Sequence, residues 1–300
     1  MMRSSFLIPL IIALAAPPGA RAQETARLRD LLGQSHVHGL GFGPGAGAGE
    51  PGRLVIATHN GLFAADPISP LAARLGTSGD DFMGWSAAPD QPGVAYASGH
   101  PAGGGNLGVI RTTDGGLTWA ALSPGAGGPV DFHQMEVSRA DPSVLWGVNH
   151  GASLQVSRDG GQTWDETGRV PEGVIDIATS PTDPERLFAA TRTGLLASAD
   201  GGASWQTLVS GAPVSLVDFD PDGKLLAFVI GRGLMATSDP AEAGTVEPKW
   251  ETLSSGPDDD YFLYLAHDPG TPGRMFAATG EGQLVVSSDG GRSWSLMARP

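Results

Sequence analysis

The chain has 300 residues, a formal net charge of -14 and no cysteine. That excludes disulfide frameworks and thiolate chemistry, and argues against nucleic acid or an anionic membrane as partner. Its 45 glycines and 24 prolines follow no collagen-like period, so they point to many tight turns joining short strands.

Residues 1–22 read as a secretory signal peptide: Arg3, an apolar run, then the small-residue cleavage site Ala20-Arg21-Ala22. Cleavage near Ala22-Gln23 predicts a secreted or periplasmic protein. No other apolar run approaches the length of a membrane span. Residues 23–35 (QETARLRDLLGQS) form an N-terminal extension, either a short helix against the fold or a tail.

Beyond it one octet recurs at residues 112–119 (TTDGGLTW), 157–164 (SRDGGQTW), 198–205 (SADGGASW) and 287–294 (SSDGGRSW). A degraded copy with an insertion over 240–248 runs from Ser238-Asp239 to Lys249-Trp250, and Ala65-Asp66-Pro67 marks an upstream unit without tryptophan. Each unit of roughly 40 to 45 residues reads as four short strands, the pattern of a propeller blade. In the fourth unit these fall at 174–178, 186–190, 194–198 and 205–209. The expected fold is all-β: a six-bladed β-propeller over 36–300, with four antiparallel strands per blade. Asp114, Asp159, Asp200 and Asp289 are expected to accept backbone N–H bonds across the turn, with the paired glycines supplying positive φ. Trp119, Trp164, Trp205 and Trp294 are expected to pack between blades.

What does not repeat lies on the other face, where the first strand starts and the second and third strands join. Aligning the first strands by the turn that follows puts His38, Met83 and His133 in one register on blades 1 to 3, against Ile175, Ser215 and Leu263 on blades 4 to 6. The connecting loops add His59, His100 and His150 on blades 1 to 3, but Arg192, Arg232 and Glu281 on blades 4 to 6, with Tyr261 heading blade 6. With His36, all the histidines except His267 gather on one face of three blades. Imidazole with thioether suits copper, and imidazole with carboxylate suits zinc. A transition metal, copper ahead of zinc, is therefore the expected cofactor, with no organic cofactor. Asp81, Asp131 and Glu136 are expected to orient ring nitrogens or, in the alternative, to supply the acid and base of a glycoside hydrolase. Met135 and Trp85 read as interblade core.

The octet resembles the Asp-box (BNR) repeat of sialidase-like propellers, over nearly the whole chain after the leader. The segments 36–41 (HVHGLG), 57–63 (ATHNGLF), 81–84 (DFMG), 98–101 (SGHP) and 131–133 (DFH) are similar to those of bacterial Asp-box proteins known as glycosyl hydrolases or exo-alpha-sialidases. The resemblance implies a propeller and a glycan substrate. True sialidases use three arginines, a Tyr–Glu pair and an Arg-Ile-Pro signature; here blade 1 opens with His36-Val37-His38, and only Arg192 and Arg232 reach the mouth. Asp-box rings also resemble the photosystem assembly-factor and luminal sorting-receptor types, which implies a protein partner instead. A monomer is expected. The leading expectation is an exported propeller with a His/Met metal site in a carrier, sensor or assembly role.

Overall fold

The computed structural model describes residues 25–43, 52–66, 71–89, 91–149, 153–238, 240 and 248–298. The expected leader, His150, Asp239 and most of the 240–248 insertion lie outside them. Six sheets each hold four consecutive antiparallel strands. Their inner strands are Val37–Gly43, Asp81–Ala87, Gln134–Val137, Val174–Thr179, Val214–Phe219 and Phe262–His267. Each inner strand packs against the next and the last against the first, which closes the ring. The fold is the six-bladed β-propeller that the repeats predict. In blade 4 the strands are Val174–Thr179, Leu187–Thr191, Gly194–Ser198 and Gln206–Ser210.

The octets are turn hardware. In blade 2 the Thr112 hydroxyl donates to Asp114 Oδ1 at 2.8 Å and accepts the Gly116 N–H at 3.0 Å. Asp114 in turn accepts the Thr118 N–H at 2.9 Å and its hydroxyl at 2.5 Å. Asp159, Asp200 and Asp289 repeat the set. Gly115 and Gly116 sit at φ 75° and 92°, which a Cβ would disfavour. The hydroxyl of the residue before the tryptophan, with the N–H bonds beside it, holds the Asp159, Asp200 and Asp289 carboxyls down at about 2.

Each box tryptophan enters the seam toward the preceding blade. Trp119 joins the core between blades 1 and 2, Trp164 that between 2 and 3, and Trp205 that between 3 and 4. Trp250 of the degraded box joins the seam of blades 4 and 5, and Trp294 that of blades 5 and 6. Trp164 and Trp294 tilt onto Phe132 and Phe262 with ring centroids 4.9 and 4.6 Å apart, a favourable aromatic geometry.

Blade 1 brings no tryptophan to the sixth seam. There the N-terminal extension takes over. Strand Thr25–Arg27 pairs antiparallel with Leu71–Leu75, the outer strand of blade 1. The short helix Leu28–Leu32 follows, and its i, i+3, i+4 spacing puts Leu28, Leu31 and Leu32 on one face. All three join the core shared by blades 6 and 1, beside Ile56, Phe63 and Phe276. The extension is a packed part of the ring.

Candidate metal centre at the channel mouth

Four inner strands carry a bulge near their start. The ladder shifts between Val37 and Gly39, Val174 and Asp176, Val214 and Leu216, and Phe262 and Tyr264. The extra residues are His38, Ile175, Ser215 and Leu263, the same four that sequence register aligns. A bulge frees a side chain from the pleat and re-aims it: His38 and Leu263 line the channel, while Ser215 is buried and donates to the Phe262 carbonyl at 2.7 Å. In blade 3 His133 stands just before its strand, with its N–H on the Val148 carbonyl at 3.2 Å. Blade 2 departs from the expectation. Its ladder breaks between Met83 and Ser86, and Gly84 and Trp85 line the channel. Gly84 has φ 53°, and a Cβ there would meet the Phe132 carbonyl at 2.6 Å. Met83 is buried, pairs with Ser98 and is absent from the channel lining. The expected trio of His38, Met83 and His133 thus loses its thioether, because a wider bulge in blade 2 moves the slot past Met83.

The loop at 58–61 is shaped by Thr58, whose hydroxyl donates to the Gly61 carbonyl at 2.9 Å and accepts the Asn60 N–H at 3.1 Å. His59 is exposed at its tip. His59 Nδ1 lies 2.6 Å from Asp81 Oδ2, and its Nε2 lies 3.0 Å from His38 Nε2. An ionised carboxylate only accepts, so Nδ1 carries the proton and Nε2 turns its lone pair to His38. The two rings meet edge-on at 4.1 Å, and the His36 ring is 5.5 Å from His59. Burial, then the charge of His59, pushes His38 down to about 4, so it is neutral at neutral pH. Asp81 Oδ1 is buried and has no hydrogen-bond partner among the described residues. His38, His59 and Asp81 each bring one donor atom within 4.8 Å of the other two.

A second cluster stands beside it. His100 Nδ1 meets the Gly105 carbonyl at 2.8 Å, and its Nε2 lies 3.2 Å from Asp131 Oδ2. His133 Nε2 lies 3.0 Å from the same oxygen. That hydrogen bond raises the His133 imidazole above its ordinary range, against the pull of burial. Asp131 is buried, and its backbone N–H is held by Asn149 Oδ1 at 3.1 Å.

Glu136 shares a channel cavity of about 120 Å³ with His38 and His133, and with Asp176, Asp218 and Tyr264. Burial, then the charge of Asp218, pushes Glu136 up to about 8; burial likewise takes Asp176 to about 8 and Tyr264 to about 12. Burial opposes ionisation of Asp218 too, but His267 Nε2 at 3.2 Å and the charge of Arg139 hold it below the usual range. His267 therefore serves the far end of the channel. Sequence reading missed Asp176 and Asp218, although an aspartate inside VIDIAT and VSLVDF was a visible break in an apolar run. Arg192, Arg232 and Glu281 are exposed on the loops of blades 4 to 6, and Tyr261 is 39% exposed beside Gly280. Met135 is buried in the seam of blades 2 and 3, while Trp85 packs on the seam of blades 1 and 2 and also faces the channel.

Residues 155–166 match the BNR/Asp-box repeat family. The chain is similar to a xyloglucanase of Paenibacillus sp, 28% identical over 240 residues, which are 63% of this chain and 23% of that protein. It therefore spans under a quarter of the length of that relative. Among solved structures it is similar to YCF48 bound to D1 peptide, with TM-score 0.55 and 19% identity, covering 93% of this chain and 86% of that one. It is also similar to the GH74 xyloglucanase from Xanthomonas campestris, with TM-score 0.53 and 18% identity, covering 91% of this chain and 46% of that one. The chain is a six-bladed propeller that carries a BNR/Asp-box repeat at residues 155–166. Among the described residues no helix is long and apolar enough to cross a membrane.

Proposed function

We propose that this is an exported metal-binding propeller in which His38 and His59, with Asp81 behind them, hold a borderline divalent ion, Zn²⁺ or Cu²⁺, in a carrier, sensor or assembly role. One observation carries the reading: two imidazole Nε2 atoms 3.0 Å apart, one fixed through its Nδ1 to a buried carboxylate. Neighbouring ligands of a tetrahedral ion with bonds near 2.0 Å stand roughly 3.3 Å apart. An ion taking the place of the shared proton needs little movement of either ring. A carboxylate on the far nitrogen fixes the tautomer and raises ligand basicity. The His36 ring stands beside the pair, 5.5 Å from that of His59. With Met83 away from the mouth, the donors are imidazole and carboxylate, which favour Zn²⁺ and Cu²⁺ over Cu⁺. The test is metal analysis of untagged protein after exchange against Zn²⁺ or Cu²⁺, beside His59→Ala. Stoichiometric metal lost in the variant supports the site; no uptake by either protein sinks it.

A second reading, glycoside hydrolysis, draws on the similarity to xyloglucanase. It is supported by carboxyls of two kinds in one channel, Glu136 and Asp176 held protonated and Asp218 ionised, the contrast an acid and a base require. Turnover of aryl glycosides or xyloglucan that survives chelator and is lost in Asp176→Asn or Asp131→Asn would favour it over the metal reading.

A further inference from the structure

We propose that the seam of blades 5 and 6 carries a binding slot for a small, neutral, indole-type aromatic, on the face opposite the mouth.

The proposal comes from comparing seams. In blades 2 to 6 the second strand turns one side chain, one residue in from its first pair, into the seam with the following blade. Blades 2, 3, 4 and 6 put Tyr96, Trp146, Phe188 and Phe276 there, all buried. They join the cores between blades 2 and 3, 3 and 4, 4 and 5, and 6 and 1. In blade 1 the matching side chain is Val55, three before Thr58 as Phe188 is three before Thr191, and Trp85 helps to fill that seam. Blade 5 has Leu226.

The seam of blades 3 and 4 shows the slot filled. The Trp146 indole N–H donates to the Pro184 carbonyl at 2.9 Å. The ring lies against the box glycine Gly201, where an added Cβ would meet it at 3.2 Å. Blade 6 repeats these parts. Pro272 holds the turn position of Pro184, and Gly290 the box position of Gly201. The Gly290 N–H reaches the Gly273 carbonyl at 2.9 Å, as the Gly201 N–H reaches that of Glu185 at 3.0 Å. With the shorter Leu226 opposite them, Pro272 and Gly290 border a cavity of about 210 Å³.

A cavity of about 150 Å³ takes benzene, so this one has room for a fused second ring. Native packing leaves few voids larger than a water, and an apolar cleft with a few polar groups is the usual form of a ligand site. Leu226, Ala236, Leu253 and Met275 supply the apolar wall. The charged groups around it balance, Lys224, Arg274 and Arg292 against Asp220, Asp222 and Asp268, which favours a ligand without net charge. An indole seated like Trp146 finds its hydrogen-bond acceptor in the Pro272 carbonyl.

The test is calorimetric titration of untagged protein with indole. Wild type is expected to bind one equivalent saturably. It should bind 1-benzothiophene, which keeps the shape and lacks the N–H, roughly tenfold more weakly. Leu226→Trp, which rebuilds the arrangement of Trp146, is expected to abolish indole binding and raise the thermal midpoint. If it does not fold, Leu226→Phe, the residue of blades 4 and 6, is expected to weaken binding at least tenfold. His59→Ala is expected to bind indole as wild type does, since the slot does not depend on the mouth. No saturable binding to wild type overturns the slot. Unchanged binding in the Leu226 variants, or loss in His59→Ala, overturns its place in the seam. Equal binding of the two ligands overturns the indole assignment.

Discussion

Blades 1 and 4 use the same two devices and fill them differently. Both inner strands bulge one residue after a valine, at His38 and at Ile175. Both second-to-third-strand loops are shaped by a threonine hydroxyl bonded to a glycine carbonyl, Thr58 to Gly61 and Thr191 to Gly194, at 2.9 and 2.8 Å. The residue after that threonine is His59 in one and Arg192 in the other. Blades 5 and 6 continue the contrast with Ser215 and Leu263 in the bulge. The scaffold supplies position and the side chain supplies chemistry, so the function of a propeller face sits in a few slots that the fold itself leaves open.

The largest effect expected breaks the comparison at blade 1 itself. Its seam with blade 6 is filled by leucines instead of tryptophan, so Leu28→Ala should cost about 2–5 kcal/mol, near the cost of Trp205→Ala in an ordinary seam. Urea unfolding compares the two; a Leu28→Ala midpoint equal to wild type would show that the extension does not bear on the ring. Next in size, giving blade 1 the residues of blade 4 through His38→Ile and His59→Arg should weaken zinc binding by roughly a hundredfold or more while the thermal midpoint stays put. Competition against a chromophoric chelator measures it, with Arg192→Ala as the matched change expected to have no effect.

Two weaker effects follow from acids that both halves share. Glu136 of blade 3 and Asp176 of blade 4 are raised to about 8 in the fold. A carboxyl raised on folding binds its proton more tightly in the native state, so the stability it lends is full below about pH 4 and is lost as pH rises through about 8. Stability should therefore fall over that window, and Glu136→Gln with Asp176→Asn should flatten the slope in urea titrations at stepped pH. The smallest effect is at the boxes. Asp159, Asp200 and Asp289 are lowered to about 2, so their contribution is present above about pH 3.8 and disappears as pH falls through about 2. Asp200→Asn should narrow the difference in stability between pH 4 and pH 2; an unchanged acid limb would mean the turn holds without the charge.

The repeats made the blades legible, because eight residues with fixed turn chemistry recur at near-constant spacing. The bulge slot was legible for the same reason: His38, Ile175, Ser215 and Leu263 sit at equal distance from the next turn. Blade 2 was not, since Gly84 hides a positive φ that only the nearby Phe132 carbonyl makes necessary. That one residue decides whether Met83 reaches the mouth. The role of residues 28–32 was hidden because nothing repeats it, and a five-residue helix acquires its meaning only from the tryptophan that blade 1 lacks. The pairing of His59 with Asp81, and of His100 with Asp131, joins neighbouring blades; a single sequence read one blade at a time does not bring them together.

The leucine-filled seam also bears on how the ring assembles. The five tryptophan seams join consecutive blades and can zip in order along the chain. The sixth brings Leu28 and Phe276 into one core from opposite ends of the described chain. Loop-closure entropy grows with that separation, and contacts of this range slow folding. Ring closure is therefore expected to be the last and slowest step. The same seam is expected to be the first to open, so that protease nicking in the native state should begin near residues 25–35 and be delayed by a ligand bound at the mouth.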